Sequence, residues 1–231
     1  MSATRHASDD SFAAQLRGFG PLGIIAILLV MFTGNIILPN MVALPVGAIL
    51  VLIWVRLSQT SWSEIGYAKP GSWIITIIAG IIFGVAFKFL MKAVAMPLLG
   101  ADPINHAYHF LTGNRAILPA AIWAMLAAGF GEETVFRGFM FERLGKLLGE
   151  RLTAKIFIVI FTSAWFGLSH YFSQGWTGVE QATITGLVFG TIFAVTKNIW
   201  MIMIAHASFD LTALAMIYWD MESDVAHLIF K

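Results

Sequence analysis

Seven apolar runs, separated by polar or Gly/Pro-containing interruptions, organise the sequence: 20 to 38, 41 to 55, 73 to 91, 117 to 138, 155 to 172, 179 to 196 and 199 to 219. Most approach the ~20 residues needed to cross a hydrocarbon layer of roughly 30 Å. In lipid every backbone polar group must be bonded within the chain, so such runs read as helices. The expected fold is all-α, a polytopic membrane helical bundle of about seven transmembrane helices. The second run is short and follows a tight Pro39-Asn40 connection, so runs one and two could instead form a re-entrant pair. A polar leader, MSATRHASDDSFAAQLRGF, precedes the first run without a clear small-x-small cleavage signal, and that run is expected to be retained. No repeat, low-complexity tract or large hydrophilic insertion interrupts the pattern, which makes 1–231 a single membrane domain.

Composition sharpens this picture. The 231 residues are 58% hydrophobic and only 12% charged, with a mean hydropathy of +0.81, far too apolar for a soluble domain. Membrane lipid is therefore an expected partner. The net charge is +1 and the basic residues are scattered, so no nucleic-acid footprint exists. Cysteine is absent, which excludes disulfides, Cys-ligated zinc and a thiol nucleophile. With the N-terminus inside, the inner segments carry Arg5, Arg17, Arg56, Lys69, Arg143, Lys146, Arg151, Lys155 and Lys197, and the outer ones Lys88, Lys92, Arg115 and Lys231. That bias predicts an N-inside, C-outside orientation. Trp54, Trp62, Trp73, Trp176, Trp200, Tyr218 and Trp219 fall near run ends, as interfacial anchors do. Gly80 with Gly84, and Gly186 with Gly190, have the small-xxx-small spacing that lets helices pack closely.

Against this background the ionisable residues inside the runs stand out, since each costs at least ~2.5–3.5 kcal/mol on insertion scales. The fourth run holds GEETVFRG, with Glu132, Glu133 and Arg137; the fifth ends in FGLSHYF, with His170; the seventh holds AHASFDL, with His206 and Asp210. Glu133 and Arg137 are four apart, as are His206 and Asp210, so each pair shares a helix face. Counted from the nearest inner charge at ~1.5 Å per residue, Glu132 lies ~16 Å deep, His206 ~14 Å, Asp210 ~20 Å and His170 ~22 Å. These depths bring three helices' polar groups together, with His170 towards the outer side. Each pair also has a structural explanation, an intrahelical ion pair or a satisfied hydrogen bond. All three helices together point to a catalytic or transport constellation. A partly desolvated carboxylate suits a general base on water, and imidazoles can pass the proton or stabilise an oxyanion, which suffices for peptide hydrolysis.

Other hydrolase signatures are missing: no HExxH, no Gly-flanked serine around Ser169 or Ser208, and no pair of intramembrane aspartates on separate helices. EETVFR fits EExxxR, FGLSH fits FxxxH, and HASFD fits HxxxN or HxxxD, in order and on separate helices. Together these motifs, over about 117–215, resemble the CPBP family, the CAAX protease and bacteriocin-processing (Abi) intramembrane endopeptidases. The resemblance implies a peptide bond hydrolysed by an activated water. Glu132 would be the activating carboxylate, His170 a group that positions or deprotonates the water, and Glu133 and Arg137 supports. His206 and Asp210 would form the oxyanion-stabilising side, where active members often carry Asn; an ionised Asp accepts rather than donates, and would instead orient His206.

The motifs do not form a compact ligand set, so a metal-free site is expected; zinc on Glu132, His170 and His206 is the alternative. His106 and His109 in NHAYHF read as ordinary loop histidines. The residues leave open a proton-coupled transporter, although neither internal repeats nor matched broken helices are present. They also leave open a non-catalytic immunity or scaffold protein of the same fold. The expected partner is a membrane-associated peptide or protein substrate, and the expected location a bacterial-type plasma membrane, with the endoplasmic reticulum as the alternative.

Overall fold

The computed structural model describes residues 11–33 and 40–230, and all regular structure among them is helical. Helix α1 (Ser11–Arg17) meets α2 (Pro21–Phe32) at a bend of 54°. Helix α3 spans Asn40–Leu57 with Pro45 inside it. Helix α4 (Trp73–Leu90) starts where the Ser72 hydroxyl accepts from the Ile75 N–H, then runs through a π turn, Met91–Ala95, to Leu98. Helix α5 (Leu118–Glu133) passes through a second π turn, Thr134–Phe139, into α6 (Met140–Leu148). The last elements are α7 (Leu152–Ser169), α8 (Tyr171–Thr196), α9 (Trp200–Tyr218) and the short α10 (Glu222–Ala226).

Polarity is inverted relative to a soluble protein. Ile74, Ile75, Ile78 and Ile82 of α4 and Ile156, Phe157 and Ile160 of α7 face outward, while Glu132, Glu133, Arg137 and His206 are buried. Apolar groups outside and charged groups inside is the arrangement lipid demands. Four helices are long and apolar enough to cross a membrane: Trp73–Leu98, Leu152–Ser169, Tyr171–Thr196 and Trp200–Tyr218. The bent α1–α2 pair would be a fifth. This is a multi-pass membrane protein, and of the seven spans expected from the apolar runs four, or five with the bent pair, stand among the described residues. Helix α2 has only 12 residues, and the rest of that expected run, 34–38, lies outside the described residues, as does Pro39. Pro45 lies within α3 and brings no backbone N–H donor to it. Helix α5 has 16 residues before its π turn.

Glycines set the helix approaches that build the site. A Cβ on Gly84 would stand 2.1 Å from the Ala205 carbonyl oxygen, and one on Gly80 2.9 Å from that of Met201, so α4 lies directly against α9. Gly186 faces Ser163 in the same way, locking α8 to α7. These are the two spaced pairs read from the sequence. Gly129 makes a third close approach: its Cβ would meet the backbone of Ala207 at 2.6–2.8 Å. One turn beyond Gly129 come Glu132 and Glu133, and next to Ala207 is His206, so this contact brings the polar groups of the fourth and seventh runs face to face. A buried cluster of Phe87, Met91, Phe189, Phe193, Ile202, Met203 and Phe209 fills the space among α4, α8 and α9.

The loops gather at two ends. At one, Lys146 pairs with Glu64 at 3.1 Å, the Ile199 N–H donates to the Gly66 carbonyl, and Asn198 donates to that of Ala68. At the other, the Gly113 N–H donates to the Tyr218 carbonyl and the Thr112 hydroxyl to that of Ile217.

Candidate active site

Glu133, fully buried, sits at the end of α5 and its Oε1 accepts from Arg137 Nη1 at 3.0 Å and from His206 Nδ1 at 2.7 Å. Its other oxygen is buried without a hydrogen-bond partner. The guanidinium is 1% exposed, donates from Nη2 to the Gly186 carbonyl at 3.4 Å, and lies 4.7 Å from the Phe166 ring centroid. Arg137 thus joins α5 to α8 and α7 through the carboxylate it neutralises. The π turn aids this: widening the helix after Glu133 is a deviation commonly found at functional sites. Thr134 anchors the turn, donating to the Phe130 carbonyl at 2.6 Å and bonding the Tyr67 hydroxyl at 2.7 Å.

His206 is the hub. With Nδ1 on Glu133, its Nε2 faces Glu132 Oε2 at 3.6 Å and Asp210 Oδ2 at 3.5 Å. Asp210 therefore touches the opposite ring nitrogen from Glu133, and the tautomer of His206 is set across helices rather than by its own i+4 neighbour. His170 caps α7. Its Nδ1 must be the protonated nitrogen, because it lies 2.8 Å from the Phe166 carbonyl, which can only accept. That leaves Nε2 free. Phe166 stands between the imidazoles, its ring 4.7 Å from His170 and 6.0 Å from His206.

Glu132, His170, His206 and Asp210 line one cavity of about 510 Å³, whereas Glu133 and Arg137 stand behind its wall. The structure therefore brings all six residues singled out in the sequence into one neighbourhood and sorts them into lining and supporting groups. His170 shares the cavity with the carboxylates but forms no hydrogen bond to them among the described residues. Of the loop histidines, His106 is exposed, pairs with Asp102 at 3.1 Å and lines the same cavity with it, away from the His206 hub, whereas the His109 ring meets the Thr112 hydroxyl at 3.4 Å.

Other lining residues carry no motif. Tyr108 comes from the loop after α4 and bonds the side chain of Gln174; burial pushes its phenol above the ordinary value, so it stays neutral. Lys88 and Lys92 also line the cavity. Both were counted above among the outer charges, and both instead lie buried within the continuous helix Trp73–Leu98: Lys88 inside the expected run, and Lys92 beyond its expected end at 91, where the π turn at Met91 carries the helix on. Their four-residue spacing was the available signal. The zinc alternative needs Glu132, His170 and His206 around one ion. Among the described residues no three His, Asp or Glu side chains are grouped so as to hold a metal ion, and the set as arranged does not fit one.

Residues 114–212 match the family model described as Type II CAAX prenyl endopeptidase Rce1-like. This segment is similar to the CPBP family of membrane endopeptidases. No curated protein and no solved structure matches the chain. The matched segment contains all six residues of the cluster and ends two residues beyond Asp210, while Lys88, Lys92 and Tyr108 fall outside it.

Proposed function

We propose that the protein is an intramembrane endopeptidase that hydrolyses a peptide bond of a membrane-associated substrate with a water activated by Glu132. The observation that carries this reading is the cavity shared by Glu132, His170, His206 and Asp210 within the Rce1-like segment. Glu132 Oε2 and His206 Nε2 stand 3.6 Å apart on one cavity wall, so a water in the cavity beside them can contact the carboxylate and the imidazole together. Glu132 takes the water's proton as hydroxide adds to the carbonyl carbon. The unprotonated Nε2 of His170 accepts the water's other hydrogen and orients it. His206 acts as an imidazolium: its Nδ1–H donates to Glu133 and its Nε2–H to the oxyanion, while the Asp210 carboxylate beside Nε2 holds the charged ring in place. Glu132 then returns the proton to the leaving amine as the tetrahedral intermediate collapses. Asp at 210, where active relatives often have Asn, acts here through His206. Burial of Glu133 and Arg137 supports a positioning role for both. The whole scheme uses only the chain's own groups.

An N-inside orientation in a bacterial-type plasma membrane accompanies this reading, and the two clusters of loops at opposite ends are consistent with it.

The test is cleavage of a quenched-fluorescent peptide library by the purified protein in liposomes, with wild type and Glu132→Gln side by side and a strong chelator added to each. The expected result is chelator-indifferent cleavage that falls about 100- to 10,000-fold in the variant, the range of general-base catalysis. Cleavage by Glu132→Gln at the wild-type rate would refute the mechanism. Chelator-sensitive cleavage restored by zinc would replace it with a metalloprotease.

A further inference from the structure

The loop after α4 and the junction of α7 with α8 line the cavity, whereas the loops at the opposite end of the bundle, 58–72, 149–151 and 197–199, contribute nothing to it. At the first of these ends Asp102 and His106 form the mouth, with side chains 55% and 71% exposed. Thr177 of α8, another lining residue, is exposed as well. On the other side of His206 the bundle is closed. Phe141, Phe193, Ile199, Ile202 and Met203 are buried there in one apolar cluster, and a Cβ on Gly138 would stand 3.1 Å from the Ile65 carbonyl oxygen. Water therefore reaches Glu132 from the Asp102–His106 end.

Charge divides the two ends in the opposite sense. Arg17, Arg56, Lys69, Arg143, Lys146, Arg151, Lys155 and Lys197 lie at the closed end, where Lys146 meets Glu64 and Arg143 the Arg17 carbonyl. Among the described residues the loops of the open end carry Arg115 as their one Lys or Arg, with the acidic Asp102, Asp220, Glu222 and Asp224. Lys88 and Lys92 do not offset this, because both are buried in α4 and Lys92 is neutralised by Glu222 at 3.0 Å. Eight cations against one is a steeper bias than the sequence count, and it places the closed end in the cytoplasm.

We infer that the cavity opens to the extracytoplasmic side of the membrane and that its substrates are polypeptide segments displayed at the outer surface of the bilayer. The inference deepens the protease reading and rests on it for the nature of the occupant; the direction of opening rests on the lining and the cations alone. Hydrolysis brings a water and a carbonyl carbon together at Glu132, so both must enter through the same mouth. A cytoplasmic peptide would have to pass the packed Phe, Ile and Met side chains of the closed end. Below the mouth the wall is apolar, with Ala121, Ala124, Met125, Leu214 and Ile217, which suits an extended segment that leaves the outer leaflet rather than a highly charged soluble chain.

Two measurements on the cysteine-free chain test this. Ala124→Cys lies on the cavity wall about two helical turns from Glu132 towards the mouth, while Ser63→Cys and Asn114→Cys mark the closed and open ends. A small membrane-impermeant thiosulfonate added to intact cells is expected to modify Ala124→Cys and Asn114→Cys, and to spare Ser63→Cys until the cells are permeabilised. Should Ala124→Cys fail to fold, Thr177→Cys takes its place. A cavity cysteine modified only after permeabilisation, or not even then, overturns the proposal. The second measurement adds library peptides that the purified protein cleaves, each carrying a charged tag that prevents membrane passage, to right-side-out and to inverted membrane vesicles, with Glu132→Gln vesicles as background. Cleavage by the right-side-out vesicles alone is expected. Cleavage by inverted vesicles alone, or equally by both, overturns the substrate assignment. The two readings fail separately: external modification of the cavity cysteine in a protein that shows no Glu132-dependent cleavage removes the protease and its substrates but sustains the outward opening.

Discussion

Glu132 and Glu133 are neighbours in sequence with opposite surroundings. Glu132 faces the cavity, whereas Glu133 is sealed behind it between Arg137 and His206. Substitutions of the two therefore report on different things. Glu132→Gln is expected to lose activity while its thermal unfolding stays near wild type, because no strong bond is broken. Arg137→Met leaves the Glu133 carboxylate buried without its cation and is expected to cost about 3–5 kcal/mol of stability. Adding Glu133→Gln to Arg137→Met should recover much of that loss. Thermal melts of the two variants in one detergent check this, and an Arg137→Met protein as stable as wild type would show that the ion pair is not what holds Glu133.

Among the elements, helix approach is the quantity that matters. Gly84 and Gly129 bring α4 and α5 onto α9 from two sides, each against backbone. Backbone cannot swing aside as a side-chain tip can, so Gly129→Val pushes α5 away from α9 and separates Glu133 from His206. The expected outcome is a loss of activity of at least tenfold, together with a lower melting temperature. Gly145→Val, at a position with nothing within 4 Å of an added Cβ, is expected to leave both unchanged apart from a helix-propensity effect of a few tenths of a kcal/mol. Activity measured on the two variants in parallel decides whether close approach or helix content is limiting. The π turns act at the same scale. That after Glu133 keeps Arg137 turned towards Glu133 and α8, and that at Met91 carries α4 on past Lys92.

For the whole molecule, burial of charge and exposure of isoleucine make lipid the solvent, and the loops divide between two ends. The absence of cysteine makes orientation measurable without background labelling. Single replacements Ser63→Cys and Asn114→Cys lie in loops at opposite ends. With the N-terminus inside, a membrane-impermeant maleimide added to intact cells is expected to label Asn114→Cys and to reach Ser63→Cys only after lysis. The reverse pattern would invert the orientation.

Much of the site was legible in one dimension because charge in an apolar run has a price that ordinary packing does not repay. That rule isolated Glu132, Glu133, Arg137, His170, His206 and Asp210, and helical periodicity paired them by face. The glycine spacings on α4 and α8 likewise announced close helix contacts, since their effect depends on a local property, the missing Cβ. Tertiary structure alone decided the rest. Glu133 rather than Asp210 holds His206 Nδ1, because Gly129 brings α5 within reach across a sequence separation that no periodicity encodes. Lys92 read as a loop charge because a run of apolar residues does not reveal that a π turn prolongs its helix, and the inward aim of Lys88 depends on the helices packed around α4. The bend before α2 and the π turn after Glu133 escaped for a related reason: hydropathy measures solvent preference, while the path of the backbone within an apolar run is decided by packing.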